Sequence, residues 1–252
     1  NLSIVRGSIM SENRNNNEFS SPPKVLIFGG TGAIGKEICS HYKVRGWDVT
    51  VTSRKPFKAD DHVFWDVLTP NPSNNEQLKK ALKARGQFNA VCWAQGKNCS
   101  DSIYDFDLNE HMDLYNANVT YILASLSFLL SGELLAKSSK LCVISSIWQK
   151  VSKQNKLSYC VSKSALHGLV LSLATDLAKD GHTINAVLPG VLDTPMTRQN
   201  LTEKQIATVL SGTLHNKLPN IGDVAKCVYD LCNPESFSVT GQFVSVDFGF
   251  SN

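Results

Sequence analysis

Short apolar runs recur along the chain, each followed by a longer stretch with apolar positions three or four apart. Val25–Phe28 is the first run, closed by Gly29 and Gly30. Behind it Ile34, Ile38 and Tyr42 share one helical face, and Gly46 supplies a stop. The same reading predicts strands at Val49–Thr52, Val63–Trp65, Ala90–Ala94, Leu141–Ile144, Ile184–Leu188 and Phe243–Val246. Between them it predicts a helix from a cap at Asn74 to Arg85, with Gly86 as terminator. Long helices follow over about 109–130 and 158–179, and shorter ones over 202–211 and 222–232. Short apolar strands alternating with helices build a parallel sheet covered on both faces. The predicted fold is α/β: a single doubly wound domain over residues 24–252, with about seven strands.

Residues 1–23 lack this pattern. They are polar, rich in Asn, and end in Pro22-Pro23, which reads as a flexible tail. The sequence does not begin with Met, and Met10 is a candidate natural start, leaving residues 1–9 foreign to the protein. Apolar residues make up 42% and charged residues 19%, enough for a sizeable core and against global disorder. The net charge of +3, without a run of five Lys or Arg, argues against a nucleic-acid surface. The longest apolar stretch, Tyr121–Leu130, is far too short to cross a membrane. Seven cysteines, odd in number and without a C-x-x-C pair, read as free thiols in a reducing compartment. A cytoplasmic protein is expected. The six histidines are scattered without ligand spacing, so no metal is expected. Asp105 and Asp107 read as loop or helix-start acids.

The candidate chemistry begins at the first strand–helix junction, Gly29-Gly30-Thr31-Gly32-Ala33-Ile34-Gly35. Gly29 permits a tight turn, small residues let backbone approach a pyrophosphate, and Gly35 lets the helix pack closely on the sheet. Gly29, Thr31, Ile34 and Gly35 are the candidate contacts. The second strand ends in Ser53, Arg54 and Lys55. An acidic residue there would accept hydrogen bonds from an adenosine ribose and repel a 2′-phosphate. Ser53 with Arg54 instead suits NADP(H).

Tyr159 and Lys163 are four residues apart in a predicted helix, so both side chains lie on one face. A cation there stabilises phenolate. Ser146 stands thirteen residues earlier, just past the Leu141–Ile144 strand. With Asn118 in the preceding long helix, this set resembles the catalytic residues of the short-chain dehydrogenase/reductase family. Asp66-Val67 resembles the family's pair beside adenine. Pro189-Gly190-Val191-Leu192-Asp193-Thr194 resembles its segment over the nicotinamide. Thr240-Gly241-Gln242 and Asp247-Phe248-Gly249 resemble its closing strand. The likeness spans about residues 24–251. It implies a Rossmann-type fold and hydride transfer between nicotinamide and a carbonyl or alcohol carbon. Tyr159 would act as acid/base, and Ser146 would polarise the oxygen. Lys163 would tune Tyr159 and hold the ribose, and Asn118 would fix a water leading to solvent.

Three departures stand out. The family's Asn-Asn-Ala-Gly is Trp93-Ala94-Gln95-Gly96 here, leaving Ala94 and Gly96 as cofactor contacts. Ala33 replaces the middle glycine of the turn, and Phe248 replaces a late glycine. Trp148 either lines a substrate cleft or packs. The resemblance implies a homodimer or homotetramer. Leu166, Leu169, Val170 and Leu173 add apolar surface beyond what one core face needs. Two other functions remain open at this stage: an NAD-dependent alcohol dehydrogenase, or a cofactor-binding regulator without turnover.

Overall fold

A seven-stranded, all-parallel sheet organises the chain in the order β3-β2-β1-β4-β5-β6-β7. The computed structural model describes residues 21–53, 60–68, 72–235 and 238–252. The expected tail lies almost wholly outside these residues, as do Arg54 and Lys55. The strands are β1 Lys24–Phe28, β2 Asp48–Ser53, β3 His62–Phe64, β4 Phe88–Trp93, β5 Leu135–Ile144, β6 Thr183–Pro189 and β7 Phe243–Val246. The helices are α1 Ala33–Lys43, α2 Pro72–Ala84, α3 Leu108–Tyr115, α4 Tyr121–Ser131, α5 Leu157–Asp176, α6 Pro195–Asn200, α7 Glu203–Ser211 and α8 Ile221–Cys232. The expected α/β doubly wound architecture is the one observed.

Helices cover both faces, so most positions of the central strands are apolar. On one face Phe28, Trp65, Trp93 and Tyr121 pack with residues of α2, α4 and α5. Phe28 stacks on Trp93 at 5.6 Å. Trp93 also donates its indole N–H to Ser125 Oγ at 2.8 Å, so the tryptophan in the altered stretch is a satisfied core residue. On the other face Ile38 and Tyr42 of α1 meet Val224 and Val228 of α8. Local caps fix several helix starts. Asp107 accepts from Glu110 N, as expected for a helix-start acid. Thr202 with Gln205 and Asn220 with Asp223 form capping boxes.

The structure corrects several boundaries. α2 begins at Pro72, so Asn74 lies inside the helix rather than capping it. The long helix predicted over 109–130 is two α-helices joined by one turn of π-helix, Asn116–Thr120. β5 starts six residues before Leu141, carried past polar residues by a register shift opposite β4 and a positive φ at Ser138. α6 is an additional helix, capped by Thr194 and opened by Pro195. Leu166, Leu169 and Val170 are buried in the chain's own core, and Leu173 packs against it. They are therefore not surplus surface. The exposed apolar side chains of α4 and α5 are Leu123, Leu130, Val161 and Leu171.

Candidate active site

The candidate site forms at the C-terminal ends of β1, β4, β5 and β6, beside the point where strand order reverses between β1 and β4. It has two poles.

At the first, the chain leaves β1 through Gly29, whose φ is +73°. A Cβ on Gly35 would lie 2.2 Å from the Gly29 carbonyl oxygen. Only glycine lets α1 close onto the turn there. Thr31 is exposed on the turn, and Ile34 packs against the α1–α8 core. Ala33 is the exposed first residue of α1, so its methyl displaces nothing. Gly32 gives α1 no side-chain cap, and its first turn carries no acid. The first-turn N–H groups of a helix have no partner within it, and Gly32 supplies no side-chain cap, which suits an anion. Ser53 ends β2, with its side chain outside the described atoms. Asp66 and Val67 follow β3, both half-buried.

The strip 94–96 links the poles. Ala94 N donates to Phe28 O at 2.9 Å. A Cβ on Gly29 would sit 2.6 Å from the Gln95 backbone nitrogen, so strip and turn are in contact. Both polar atoms of the Gln95 amide are buried, with no hydrogen-bond partner among the described residues. A Cβ on Gly96 would come 3.3 Å from Asn118 Oδ1 and 3.8 Å from Lys163 Nζ.

At the second pole the predicted catalytic residues converge. Ser146 is buried at the end of β5 in extended backbone, and its hydroxyl accepts from Trp148 N at 3.3 Å. Tyr159 lies in the first turn of α5. Burial pushes its phenol above the ordinary tyrosine value, and a hydrogen bond with Ser146 partly offsets that. Lys163 Nζ lies 5.7 Å from the centre of the Tyr159 ring. It donates to Ile144 O at 3.1 Å. Burial pushes this lysine down to about 8. Asn118 sits in the π-turn, where its amide binds the Lys97 backbone twice, at 2.7 and 3.0 Å. It also donates to Ser162 Oγ at 2.9 Å. One acceptor position of Oδ1 remains after these bonds.

The far wall comes from β6. Pro189 is buried, and Gly190 approaches Asp247 so closely that a Cβ would lie 2.8 Å from the Asp247 Cβ. Thr194 Oγ1 is the cap of α6, accepting from Thr197 N at 3.0 Å. Trp148 packs edge-on against Phe250 at 6.1 Å, and Lys153 lies over its ring.

A polar cluster at the start of α5 has no sequence signal. Asp101 accepts from Ser158 N at 3.1 Å and from the Ser158 hydroxyl. His111 Nδ1 lies 2.8 Å from that same hydroxyl. The residue types are those of a hydrolase triad, but the arrangement is not. Ser158 is only 1% exposed, and its proton goes to the carboxylate rather than to histidine.

A family profile described as enoyl-(acyl carrier protein) reductase matches residues 66–251. The chain belongs to the short-chain dehydrogenase/reductase family. The 3-oxoacyl-acyl-carrier-protein reductase FabG of Haemophilus influenzae is 26% identical over 89% of this chain and 96% of its own length. A tropinone reductase homolog of Arabidopsis thaliana is 28% identical over 90% of this chain and 74% of its own. The solved structure "ElxO with NADP Bound" superposes with a TM-score of 0.80 and 25% identity, covering 91% of this chain and 98% of that one.

Proposed function

We propose that this chain is an NADP(H)-dependent oxidoreductase, carried by one domain over residues 24–252, that interconverts a carbonyl and a secondary alcohol. Tyr159 is its acid/base. The observation that carries this reading is the meeting of Ser146, Tyr159 and Lys163 at the mouth of β5. The Ser146 hydroxyl is near enough to the phenol to lower its pKa, and the buried Lys163 lies behind the ring.

The first pole fits a dinucleotide. Its glycines hold backbone where side chains would collide, the start of α1 has no side-chain cap, and the buried Gln95 amide lacks a partner among the described residues. An unpaired buried amide costs roughly 1–3 kcal/mol, which a hydroxyl or phosphate of the ligand would recover. Gly29, Thr31, Ile34 and Gly35 would hold the pyrophosphate. Asp66, Val67, Ser53 and Arg54 would hold the adenosine end. Ala94, Gly96, Pro189, Gly190 and Thr194 would line the path to the nicotinamide, with Tyr159 and Lys163 at the ribose. NADP bound to ElxO supports this choice of cofactor.

When bound, the nicotinamide supplies or accepts the hydride. The chain does the rest. Ser146 donates to the substrate oxygen and holds it beside the phenol. Tyr159 gives that oxygen a proton in reduction and takes it in oxidation. Protonated Lys163 favours the phenolate that each turnover generates. Asn118 clamps Lys97 and Ser162 in place, and its remaining acceptor position suits the water that would carry protons to solvent.

The profile's description names an enoyl substrate, whereas the FabG relative is named for a 3-oxoacyl one. Two hydroxyls aimed at one oxygen favour a carbonyl or alcohol. The substrate is a small molecule. No described helix is long and apolar enough to cross a membrane, and the seven cysteines are free thiols, which suits a cytoplasmic enzyme. The exposed faces of α4 and α5, with Leu123, Leu130, Val161 and Leu171, suit a homodimer or homotetramer. Light scattering at micromolar concentration checks that, and a monomer would count against it.

The test is a panel of ketones, keto-sugars and acyl thioesters assayed by loss of NADPH absorbance. Turnover of one class by the wild type, absent in Tyr159→Phe, is expected. Binding of NADPH without turnover of any carbonyl would favour a non-catalytic cofactor-binding protein. Turnover with NADH alone would make it an NAD-dependent dehydrogenase.

A further inference from the structure

The start of α5 is held by other parts of the chain rather than by a cap of its own. Lys156, which precedes the helix, has no side-chain cap bond to it. The first-turn N–H groups instead go to Asp101, on the loop after β4. Leu157 N donates to Asp101 O at 3.2 Å, and Ser158 N donates to the Asp101 carboxylate at 3.1 Å. Lys156 Nζ reaches back to the same loop, to Cys99 O at 2.6 Å and Asn98 Oδ1 at 3.0 Å.

The Ser158 hydroxyl completes this attachment. It has one proton, which the carboxylate takes. His111 of α3 must therefore be the donor through Nδ1 in its 2.8 Å contact. That places a histidine, a serine and a carboxylate in one directed chain from α3 through α5 to the loop. The bonds outweigh burial and hold the Asp101 carboxyl below its ordinary value. Cys99 Sγ adds a weak bond at 3.4 Å. The next residue after Ser158 is Tyr159.

We propose that His111, Ser158 and Asp101 are positioning residues for Tyr159: their hydrogen-bonded chain fixes the first turn of α5 and so aims the phenol at Ser146. This rests on the reading of Tyr159 as the acid/base. The geometry gives a role to a polar three-residue chain, buried at Ser158 and half-buried at Asp101 and His111, that stands directly beside Tyr159. A shift of the turn by a fraction of an ångström would move the phenol from the reacting oxygen while leaving the glycine turn at β1 undisturbed. Misplacement of about 1 Å costs up to about a hundredfold in rate.

The experiment uses the full-length protein with NADPH and a carbonyl substrate from the panel above. Ser158→Ala, His111→Leu and His111→Asn are compared with the wild type and Tyr159→Phe. Ser158→Ala and His111→Leu should lower kcat about tenfold, with NADPH Kd, read by tryptophan fluorescence, within about twofold of wild type. Their kcat–pH profiles should move on the limb that reports Tyr159. His111→Asn keeps an N–H where Nδ1 stood and should recover most of the rate. If Ser158→Ala and His111→Leu lower the melting temperature but keep wild-type kcat per folded molecule and the same pH profile, the chain is structural only and the proposal falls. It falls too if His111→Asn is as slow as His111→Leu. Wild-type rate in Tyr159→Phe would overturn the functional reading itself. Loss in Tyr159→Phe with no loss in the other three overturns only the positioning role.

Discussion

The two poles of the cleft differ in how their polar groups are satisfied. Around Tyr159 the chain supplies its own partners. Asn118 binds Lys97 and Ser162, Lys163 binds Ile144 O, and Ser158 binds Asp101. Around Gly29 it withholds them. The start of α1 has no side-chain cap, and the buried Gln95 amide has no partner among the described residues. A catalytic group must keep one geometry through turnover, so its bonds are internal. A cofactor site gains affinity from groups that stay unpaired until the ligand comes. On the proposed reading, the difference separates the residues that would determine rate from those that would determine binding.

The largest expected effect comes from Tyr159→Phe, which removes a proton donor and almost no packing. The carbonyl-reduction rate should fall by about 10² to 10⁴, while NADPH Kd stays near the wild-type value. A loss of both together would blur the two poles.

Lys163 gives the next effect, and it carries a sign. Its value falls from 10.5 to about 8 in the folded chain because burial disfavours the charge. Between those values the unfolded chain holds a proton that the folded chain lacks, so stability rises with pH there. Below about pH 8 the full cost of about 3 kcal/mol is present. Lys163→Met removes that cost but leaves Ile144 O without its donor, for a net gain of about 2 kcal/mol at pH 7. Urea titrations at pH 7 and pH 10 should show the advantage at the lower pH and its loss at the higher. The same variant should be inactive. An unchanged difference across that range would mean Lys163 is not held in a desolvated site.

Gly35→Ala tests the other pole. Its Cβ would press on the Gly29 carbonyl at 2.2 Å, so the turn must open. NADPH affinity should weaken about thirtyfold, or about 2 kcal/mol. The polar chain around Tyr159 should be unaffected, as amide exchange at the start of α5 would report.

Arg54→Ala should produce the smallest change, about a tenfold loss of NADPH affinity with NADH affinity kept. The retained NADPH binding should depend less on salt. An unchanged ratio of the two cofactors would remove Arg54 as the reader of the 2′-phosphate.

Much of this division was legible in the sequence. The strands of the sheet are short apolar runs, and their spacing around the glycine turn and the Tyr159–Lys163 pair located both poles. What the pattern missed was set by long-range contacts. The first half of β5, Ala136-Lys137-Ser138-Ser139-Lys140, is mostly polar, and it joins the sheet through a shifted register opposite β4, where the Ser139 hydroxyl also donates to Phe88 O. The π-turn at Asn118 inserts one residue into a helix whose apolar spacing looks continuous. The link from His111 through Ser158 to Asp101 joins residues 47 and 57 positions apart, with no periodicity to reveal it. Apolar content alone also misassigned Leu166, Leu169 and Val170 to a partner surface, because it does not say which side of α5 meets the sheet.

The most direct test of the whole account follows an atom. NADPH carrying deuterium at the transferable C4 position of the nicotinamide is incubated with the wild type and a carbonyl from the panel. Mass spectrometry then reads the alcohol. One deuterium on the carbinol carbon, with the hydroxyl proton drawn from water and no product from Tyr159→Phe, is the predicted result. An alcohol without deuterium, or equal labelled product from Tyr159→Phe, would contradict it.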